Sequence, residues 1–264
     1  MILGISTASL FGRAVTEDSF EILRRLGADT AEVFLNTFSE YEKPFADSLV
    51  PRLCGIKAHS VHCLGTQFEP QLFNPNPRVR ADAESIFRKV CCAAFILGAK
   101  YYTFHGPVRL KNRKYDYDYD KLAEQINRLT DIAQSYGVNL SYENVHWTYA
   151  SEPEYFSQLL PRCPDLYATL DVKQAVLAGR EPLKYIEAMR GRISTVHLCD
   201  VCKDGSTALP GKGKIDFEKI LREIDREYPN MRLMIEAYSE DFRTLDELRQ
   251  SYEYIADIMV KIKK

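Results

Sequence analysis

The sequence of 264 residues has no excess of charge of either sign, because 35 Lys and Arg stand against 37 Asp and Glu and give a formal net charge of −2. Such a balance offers no general attraction to nucleic acid or to an anionic membrane surface. The sequence has no apolar run near the roughly 18 residues of a membrane span, and no basic N-terminal segment precedes an apolar one. We therefore expect a cytoplasmic protein without a membrane or nucleic-acid partner, whose function resides in a specific site.

A disulfide framework is also missing. Seven cysteines form an odd set with irregular spacing, in a chain too long to need such bonds. Cys199 and Cys202 form a Cys-x-x-Cys pair, but no second pair follows at the spacing of a zinc ribbon. We interpret the cysteines as reduced thiols, most of which pack against other residues.

No linker or shift in composition divides the chain, which has the balance of a globular protein at 45% hydrophobic and 27% charged residues. Short β-rich runs alternate with longer stretches whose apolar residues recur at helical spacing. The eight runs are 3–7, 31–35, 56–62, 101–105, 138–143, 166–171, 193–198 and 232–236. Eight β/α units predict an α/β fold with a single (β/α)₈ TIM-barrel domain over residues 1–264. A dinucleotide-binding sheet is not favoured, because no G-x-G-x-x-G follows the first run.

In such a barrel the functional side chains lie at the C-terminal ends of the strands. Six predicted strands end in a side chain that can bind a metal, and these are His62, His105, Glu143, Asp171, His197 and Glu236. Alternation with apolar residues turns these side chains toward the barrel axis. Five of the six follow a Ser or Thr by two residues, whereas Met234 precedes Glu236. We predict that the five hydroxyls belong to the hydrogen-bonded shell beneath the candidate ligands.

Three carboxylates and up to three imidazoles at one barrel mouth predict a compensating cation, because like charges repel strongly in a partly desolvated site. The four candidate ligands with the best chemistry for one ion are Glu143, Asp171, His197 and Glu236. Three oxygens and one nitrogen suit Mn²⁺, Mg²⁺ or Co²⁺ and do not exclude Zn²⁺. For His62 and His105, both a metal or substrate contact and an ordinary hydrogen-bonded histidine stay open.

Several stretches together resemble one known group of barrels. They are LSYENVHW (140–147), TLDVKQAVLAG (169–179), TVHLCD (195–200), LPGKGKIDF (209–217) and MIEAY (234–238), with support from KAHSVHC (57–63) and TFHGP (103–107). In order and spacing they resemble the xylose isomerase-like barrel superfamily, which includes sugar epimerases and isomerases, inositol-pathway enzymes and nucleases of the endonuclease IV type. The resemblance covers essentially the whole chain.

The epimerase branch implies that the four candidate ligands bind one divalent metal, which holds the carbonyl and the adjacent hydroxyl of a sugar. Glu143 and Glu236 would then stand on opposite sides of a substrate carbon. One removes the proton alpha to the carbonyl, and the other returns a proton to the opposite face. The resemblance thus implies a metal-dependent epimerase or isomerase of a small sugar, sugar phosphate or inositol derivative, and it leaves a homo-oligomer open.

Three other functions stay open, two of them catalytic. An inosose-type dehydratase on the same scaffold would remove the same proton and expel a beta hydroxyl. A nuclease of the endonuclease IV type would match the six strand-end side chains, but it has a third metal site with a His where this chain has Gln174 and another His in the loop 200–213, which contains none. The last alternative is a barrel that only binds a sugar or a metal.

Further residues are candidates for substrate contact. Gln174 can donate a hydrogen bond to a sugar hydroxyl, but it cannot carry a proton as an imidazole does. Trp147 either stacks on a sugar face or anchors its loop against the barrel rim. Lys212 either meets a phosphate or carboxylate or faces solvent.

Several other polar residues lie near the strand ends. Glu32 points either into the barrel mouth or into a structural ion pair. By alternation we expect His59 to point outward, and we expect His146 to be a bystander in a loop. Asp216 is placed to cap a helix, and the segment 109–120 is either a solvated loop or a lid.

Overall fold

Eight parallel strands close into a barrel in this computed structural model, which describes residues 1–109 and 116–263. The barrel strands are β1 (Ile2–Ser6), β2 (Thr30–Leu35), β3 (Lys57–Cys63), β4 (Tyr101–Phe104), β5 (Asn139–Glu143), β6 (Tyr167–Asp171), β7 (Ile193–Leu198) and β10 (Arg232–Ile235). Between the last two, β8 (Asp200–Val201) and β9 (Thr207–Ala208) form an antiparallel hairpin. The order around the barrel is β1-β10-β7-β6-β5-β4-β3-β2, so the predicted TIM barrel is confirmed.

Helices connect the strands. They are α1 (Thr16–Arg25), α2 (Lys43–Leu49), α3 (Pro77–Ile96), α4 (Tyr119–Ser135), α5 (Pro153–Leu159), α6 (Val172–Leu177), α7 (Pro182–Ala188), α8 (Phe217–Glu227) and α9 (Leu245–Ile262). Short 3₁₀ segments lie at Thr7–Leu10, Val50–Leu53, Gly65–Gln67, Glu69–Phe73, Leu160–Arg162 and Ser239–Asp241. Within the described ranges, no helix has both the length and the apolar character that crossing a membrane requires. Half of the segment 109–120, predicted as a solvated loop or a lid, lies outside these ranges, at residues 110–115.

Helix α8 shows how the apolar periodicity is used. Phe217, Leu221 and Ile224 recur at helical spacing on one face and are fully buried. Asp216 caps the helix as predicted, because its side chain accepts a 3.0 Å hydrogen bond from the backbone N–H of Lys219. The apolar face therefore fixes the helix against the interior, and the cap fixes where it begins.

Strand β5 shows the predicted alternation between the two faces of the barrel wall. Tyr142 packs outward against α5, where its hydroxyl lies 3.3 Å from that of Tyr155. Ser141 points inward, and its hydroxyl lies 2.7 Å from that of Thr169 on β6. Glu143, two residues after Ser141, therefore shares the face toward the barrel axis.

Two bulges change the alternation on other strands and correct one prediction. In β3 the register skips His59, and in β7 it skips Ser194, so each strand carries one extra residue there. His59 points inward, contrary to the predicted outward orientation, and its Nε2 lies 3.2 Å from the carbonyl oxygen of Ser194 and 3.1 Å from Thr195 Oγ1. Burial lowers the pKa of His59 to about 4, so its imidazole ring is neutral in the barrel interior.

Candidate metal centre

Four side chains converge at the C-terminal mouth of the barrel. Glu143 ends β5, Asp171 ends β6, His197 lies in β7, and Glu236 directly follows β10. Each offers a ligand atom, and these four atoms all lie within 4.8 Å of one another. Three of the residues are buried, and the side chain of Glu236 is 12% exposed. The structure therefore brings the four predicted ligands together.

The charges within this group fit a divalent cation. His197 Nδ1 lies 3.1 Å from Glu143 Oε1 and 3.2 Å from Glu236 Oε2, and the buried Asp171 Oδ2 has no hydrogen-bond partner. Burial, together with Glu143 and Glu236, raises the pKa of Asp171 to about 7. Burial lowers the pKa of His197, but Glu236, Glu32 and Glu143 outweigh it and raise that pKa well above its usual value. Asp171 and His197 therefore retain protons in the metal-free protein, and a metal ion can replace these protons.

Glu32 holds the far side of the His197 ring. Each of its carboxylate oxygens lies 3.2 Å from His197 Nε2, which leaves Nδ1 facing the acids. Ser60 and Thr103 donate hydrogen bonds to Glu32 Oε2 at 2.8 and 2.7 Å. Burial opposes ionisation of Glu32, but His197 outweighs it and lowers the pKa to about 2. The sequence left two surroundings open for Glu32, and in the structure it forms a buried ion pair with His197. A carboxylate in this place fixes the ring of a metal-binding histidine.

The hydroxyls beneath the candidate ligands form a hydrogen-bonded layer, as predicted. Within it, Ser60 and Thr103 donate to Glu32. The hydroxyl of Ser141 lies 2.7 Å from that of Thr169 and 2.6 Å from that of Ser194. Among the described residues, the layer supports the four candidate ligands through Glu32 and through the strands themselves.

Replacement of Glu32 tests this support. We expect Glu32→Gln to weaken Mn²⁺ binding about 10- to 100-fold, the usual effect of removing the partner of a metal-binding histidine. Isothermal titration calorimetry measures the affinity. Glu84→Gln is the control, because Glu84 also takes part in ion pairs, with Arg88 and Arg128, but lies on α3. Unchanged affinity in Glu32→Gln would contradict the role of Glu32.

His62 and His105 form a second group around Glu143. His105 Nε2 lies 2.9 Å and His62 Nε2 lies 3.5 Å from Glu143 Oε2, and the two Nε2 atoms are 2.9 Å apart. These three residues also offer ligand atoms within 4.8 Å of one another. Phe34 stacks on the His62 ring at 5.1 Å between centroids. Both histidines therefore border the candidate metal centre, where a contact to a metal or a substrate is sterically open.

A pocket of about 350 Å³ opens above the candidate metal centre, large enough for a small sugar. Trp147 lines it, with its ring edge-on to His105 at 5.6 Å between centroids. Gln174 also lines it, and its Oε1 accepts hydrogen bonds from the backbone N–H and the ring of His146. His146, expected to be a bystander, thus orients Gln174 and turns the amide nitrogen away from itself.

Lys173 is a charged residue of this pocket that the sequence analysis missed. Its side chain is 2% exposed, and its Nζ lies 3.5 Å from Asp171 Oδ2 and 3.7 Å from Glu236 Oε2. The same nitrogen lies 4.4 Å from the centre of the Tyr238 ring. The position of Lys173, two residues after Asp171, was the available sequence signal. The Asp171 side chain caps α6 by accepting a hydrogen bond from the backbone N–H of Gln174. The first residues of α6, including Lys173, therefore lie at the mouth of the barrel.

Lys212 does not reach this pocket. It is exposed and lines a separate surface depression together with Glu240, Asp241 and Arg243. The loop that carries it turns back on Asp200, whose Oδ2 accepts from the backbone N–H groups of Gly211 and Gly213. Of the two alternatives left open by the sequence, the solvent-facing lysine describes the structure.

The raised pKa of Asp171 predicts how metal binding depends on pH. Because metal binding requires the carboxylate form, we expect Mn²⁺ affinity to fall as the pH decreases through about 7, the pKa of this buried group. In the metal-free protein the sign is opposite: a carboxyl with a raised pKa contributes stability at low pH that is lost as the pH rises toward 7. Calorimetric titrations between pH 5.5 and 8.5 test this, and an affinity independent of pH would contradict it.

Comparison with known proteins shows similarity along most of the chain. The family described as xylose isomerase-like TIM barrel matches residues 20–258. Among curated proteins, the inosose dehydratase of Clostridium perfringens is 26% identical over 140 residues, which is 46% of this chain and 47% of that protein. That of Bacillus cereus is 28% identical over 123 residues, or 39% of this chain and 41% of the relative. The matched region thus spans about half the length of these relatives.

Solved structures share the whole barrel. A D-tagatose 3-epimerase-like protein aligns with a TM-score of 0.81 at 18% identity, over 100% of this chain and 98% of the other. The IOLI protein, solved with a bound zinc atom, aligns with a TM-score of 0.80 at 19% identity over 99% of each chain. At such identities the likeness establishes the fold alone, while the family match covers most of the sequence. The chain therefore belongs to the xylose isomerase-like TIM barrel family.

Proposed function

We propose that the protein is a metal-dependent sugar epimerase or isomerase that moves a proton on the carbon next to a carbonyl group. One observation supports this proposal most strongly. The ligand atoms of four side chains lie within 4.8 Å of one another below a sugar-sized pocket, and these side chains are Glu143, Asp171, His197 and Glu236. Two of these acids border the pocket directly. The proposed cofactor is a divalent ion, Mn²⁺, Mg²⁺, Co²⁺ or Zn²⁺.

The position of the two glutamates suits proton transfer on both faces of a substrate carbon. Glu143 comes from β5 and Glu236 from the end of β10, and the order of the barrel places β6 and β7 between them. Asp171 and His197, which those two strands carry, therefore lie between the two bases. A substrate held above that pair has one carboxylate on either side, which inversion at a carbon requires.

Each side chain then has a separate task. A divalent ion, when bound, polarises the carbonyl of the substrate and offsets the negative charge that develops on its oxygen. Glu143 and Glu236 accept and return the proton, while His197 and Asp171 hold the metal position. Glu32 keeps the His197 ring in place through Nε2.

The rest of the pocket suits a small polyhydroxylated ring. Phe34, Trp147 and Tyr238 supply aromatic surface, against which the C–H face of a sugar packs. The Gln174 amide nitrogen can donate to a hydroxyl group, because its oxygen is already bonded to His146. A neutral amide at this place binds a substrate without taking part in proton transfer.

Dehydration is the second candidate, because the curated relatives that match this chain are inosose dehydratases. The first step is the same removal of a proton next to the carbonyl. The reactions differ afterwards: the electron pair either returns to a proton on the opposite face or expels a hydroxyl group from the next carbon. A group that protonates the leaving hydroxyl distinguishes the second path.

Exchange of substrate hydrogen with solvent tests the proposal. Mn²⁺-loaded protein is incubated in D₂O with a panel of ketoses, aldoses and inososes, and the products are followed by ¹H NMR and mass spectrometry. An epimerase or isomerase incorporates deuterium next to the carbonyl and yields an isomer of equal composition, whereas a dehydratase yields a product lighter by one water. Absence of exchange across the panel would contradict the proposal, and cleavage of an abasic oligonucleotide would favour the nuclease.

A further inference from the structure

Lys173 is a buried cation that the proposed proton transfer between two glutamates does not use. It lines the pocket beside the candidate metal centre and is 2% exposed. Its nearest anionic partners among the described residues are Asp171 Oδ2 at 3.5 Å and Glu236 Oε2 at 3.7 Å. Both distances exceed the about 2.7–2.9 Å of a charge-assisted hydrogen bond, so the ammonium group keeps donors for a ligand in the pocket.

The surroundings of Lys173 suit a charged ammonium group. Asp171 Oδ2 and Glu236 Oε2 are its anionic neighbours. Tyr238 covers the ammonium group with its ring face at 4.4 Å from the ring centre, an arrangement that favours the charged form. The geometry therefore places a positive charge at the wall of the pocket.

The charge balance of the candidate metal centre indicates a function for Lys173. Glu143, Asp171 and Glu236 contribute three negative charges, and a divalent ion leaves one of them unbalanced. Lys173 offsets that one charge of the ligand set, while Glu32 adds one further negative charge behind the His197 ring. Without Lys173 the centre would be more anionic by one charge and would repel more strongly the negative charge that forms on the substrate oxygen after the proton leaves.

We propose that Lys173 is a catalytic residue whose ammonium group contacts the substrate oxygen at the metal centre and stabilises the negative charge that develops on it. This inference rests on the proposed function. It assigns to the substrate an oxygen that becomes anionic between Lys173 and the metal position, which is the carbonyl oxygen of a ketose, aldose or inosose. A role confined to holding Asp171 and Glu236 in place is the alternative.

The two roles of Lys173 predict opposite changes in Mn²⁺ affinity when its charge is removed. If Lys173 balances charge, Lys173→Met binds Mn²⁺ about tenfold more tightly, since a repelling cation next to two ligands is gone, and its rate of substrate proton exchange falls about 100- to 1,000-fold, as when one donor to a developing oxyanion is removed. If Lys173 only holds Asp171 and Glu236 in place, Lys173→Met binds Mn²⁺ more weakly, because these two ligands lose their position. Calorimetry on metal-free protein and ¹H NMR exchange in D₂O measure the two effects.

Matched variants complete the test. Lys173→Arg keeps the charge, and we expect it to retain metal affinity near that of the native protein and to recover part of the exchange rate. Lys184→Met removes an exposed lysine on α7 that pairs with Glu187 and should change neither quantity. If Lys173→Met does not fold, Lys173→Gln removes the charge with a polar side chain and is measured instead.

The outcomes separate this inference from the proposed function. Normal exchange in Lys173→Met, or weaker Mn²⁺ binding in the folded variant, would overturn the role of Lys173 while leaving the proton transfer intact. If the native protein exchanges no substrate hydrogen, the proposed function fails, and with it the catalytic role of Lys173. In that event the change in Mn²⁺ affinity still reports whether Lys173 balances the charge of the centre.

Discussion

Replacement of either flanking glutamate is expected to abolish turnover. We expect Glu143→Gln and Glu236→Gln each to reduce the rate of substrate proton exchange by several orders of magnitude, because an amide cannot accept the proton that a carboxylate removes. The fold should survive, since glutamine keeps the shape of each side chain. Exchange in D₂O and thermal unfolding measure the two effects.

The metal content of these variants must be determined in parallel, because both glutamates are also candidate ligands. A variant that retains one Mn²⁺ ion per chain but exchanges no proton supports a direct role in proton transfer. Glu154→Gln, on the exposed side of α5, is a control with native exchange. Full activity in either Glu143→Gln or Glu236→Gln would remove the mechanism with two carboxylates.

Removal of the metal is the second change with a large expected effect. We expect chelation to eliminate exchange and addition of Mn²⁺ to restore it, because without a divalent ion Asp171 and His197 retain protons instead. The stability of the fold should also change. Free metal at 1,000 times its dissociation constant stabilises a folded protein by ~4 kcal/mol, which corresponds to a rise in melting temperature of roughly 8 °C or more at this chain length.

Two measurements decide that prediction. Mass spectrometry first establishes that the chelated protein contains no metal, and scanning calorimetry then compares it with protein reloaded with Mn²⁺. Asp171→Asn, which removes one candidate ligand charge, should show a smaller rise in melting temperature. Metal-free protein that retains full exchange, or identical melting with and without metal, would contradict the account.

The barrel and its central group were predictable from the sequence for a simple reason. In a closed ring of parallel strands, the side chains at the strand ends share one mouth whatever the details of the loops. Glu143, Asp171, His197 and Glu236 each lie within one residue of the end of a strand, so their meeting follows from strand alternation and chain order. Local rules of the same kind placed Asp216 at the start of α8.

The errors and omissions arose where local geometry departs from those rules. The orientation of His59 was wrong because a bulge in β3 adds one residue, which strict alternation does not reveal. Lys173 was missed because its burial depends on the path of α6 after Asp171 and on the ring of Tyr238 from another loop. The place of Lys212 was decided by hydrogen bonds from its loop to Asp200, which no spacing encodes.

Crystals soaked with Mn²⁺ test the central claim most directly, because anomalous scattering identifies the ion and its ligands together. We predict a strong peak at the barrel mouth, with Glu143, Asp171, His197 Nδ1 and Glu236 all within bonding distance and Lys173 beside them. An ion bound elsewhere, or no ion at these four side chains at saturating Mn²⁺, would contradict it.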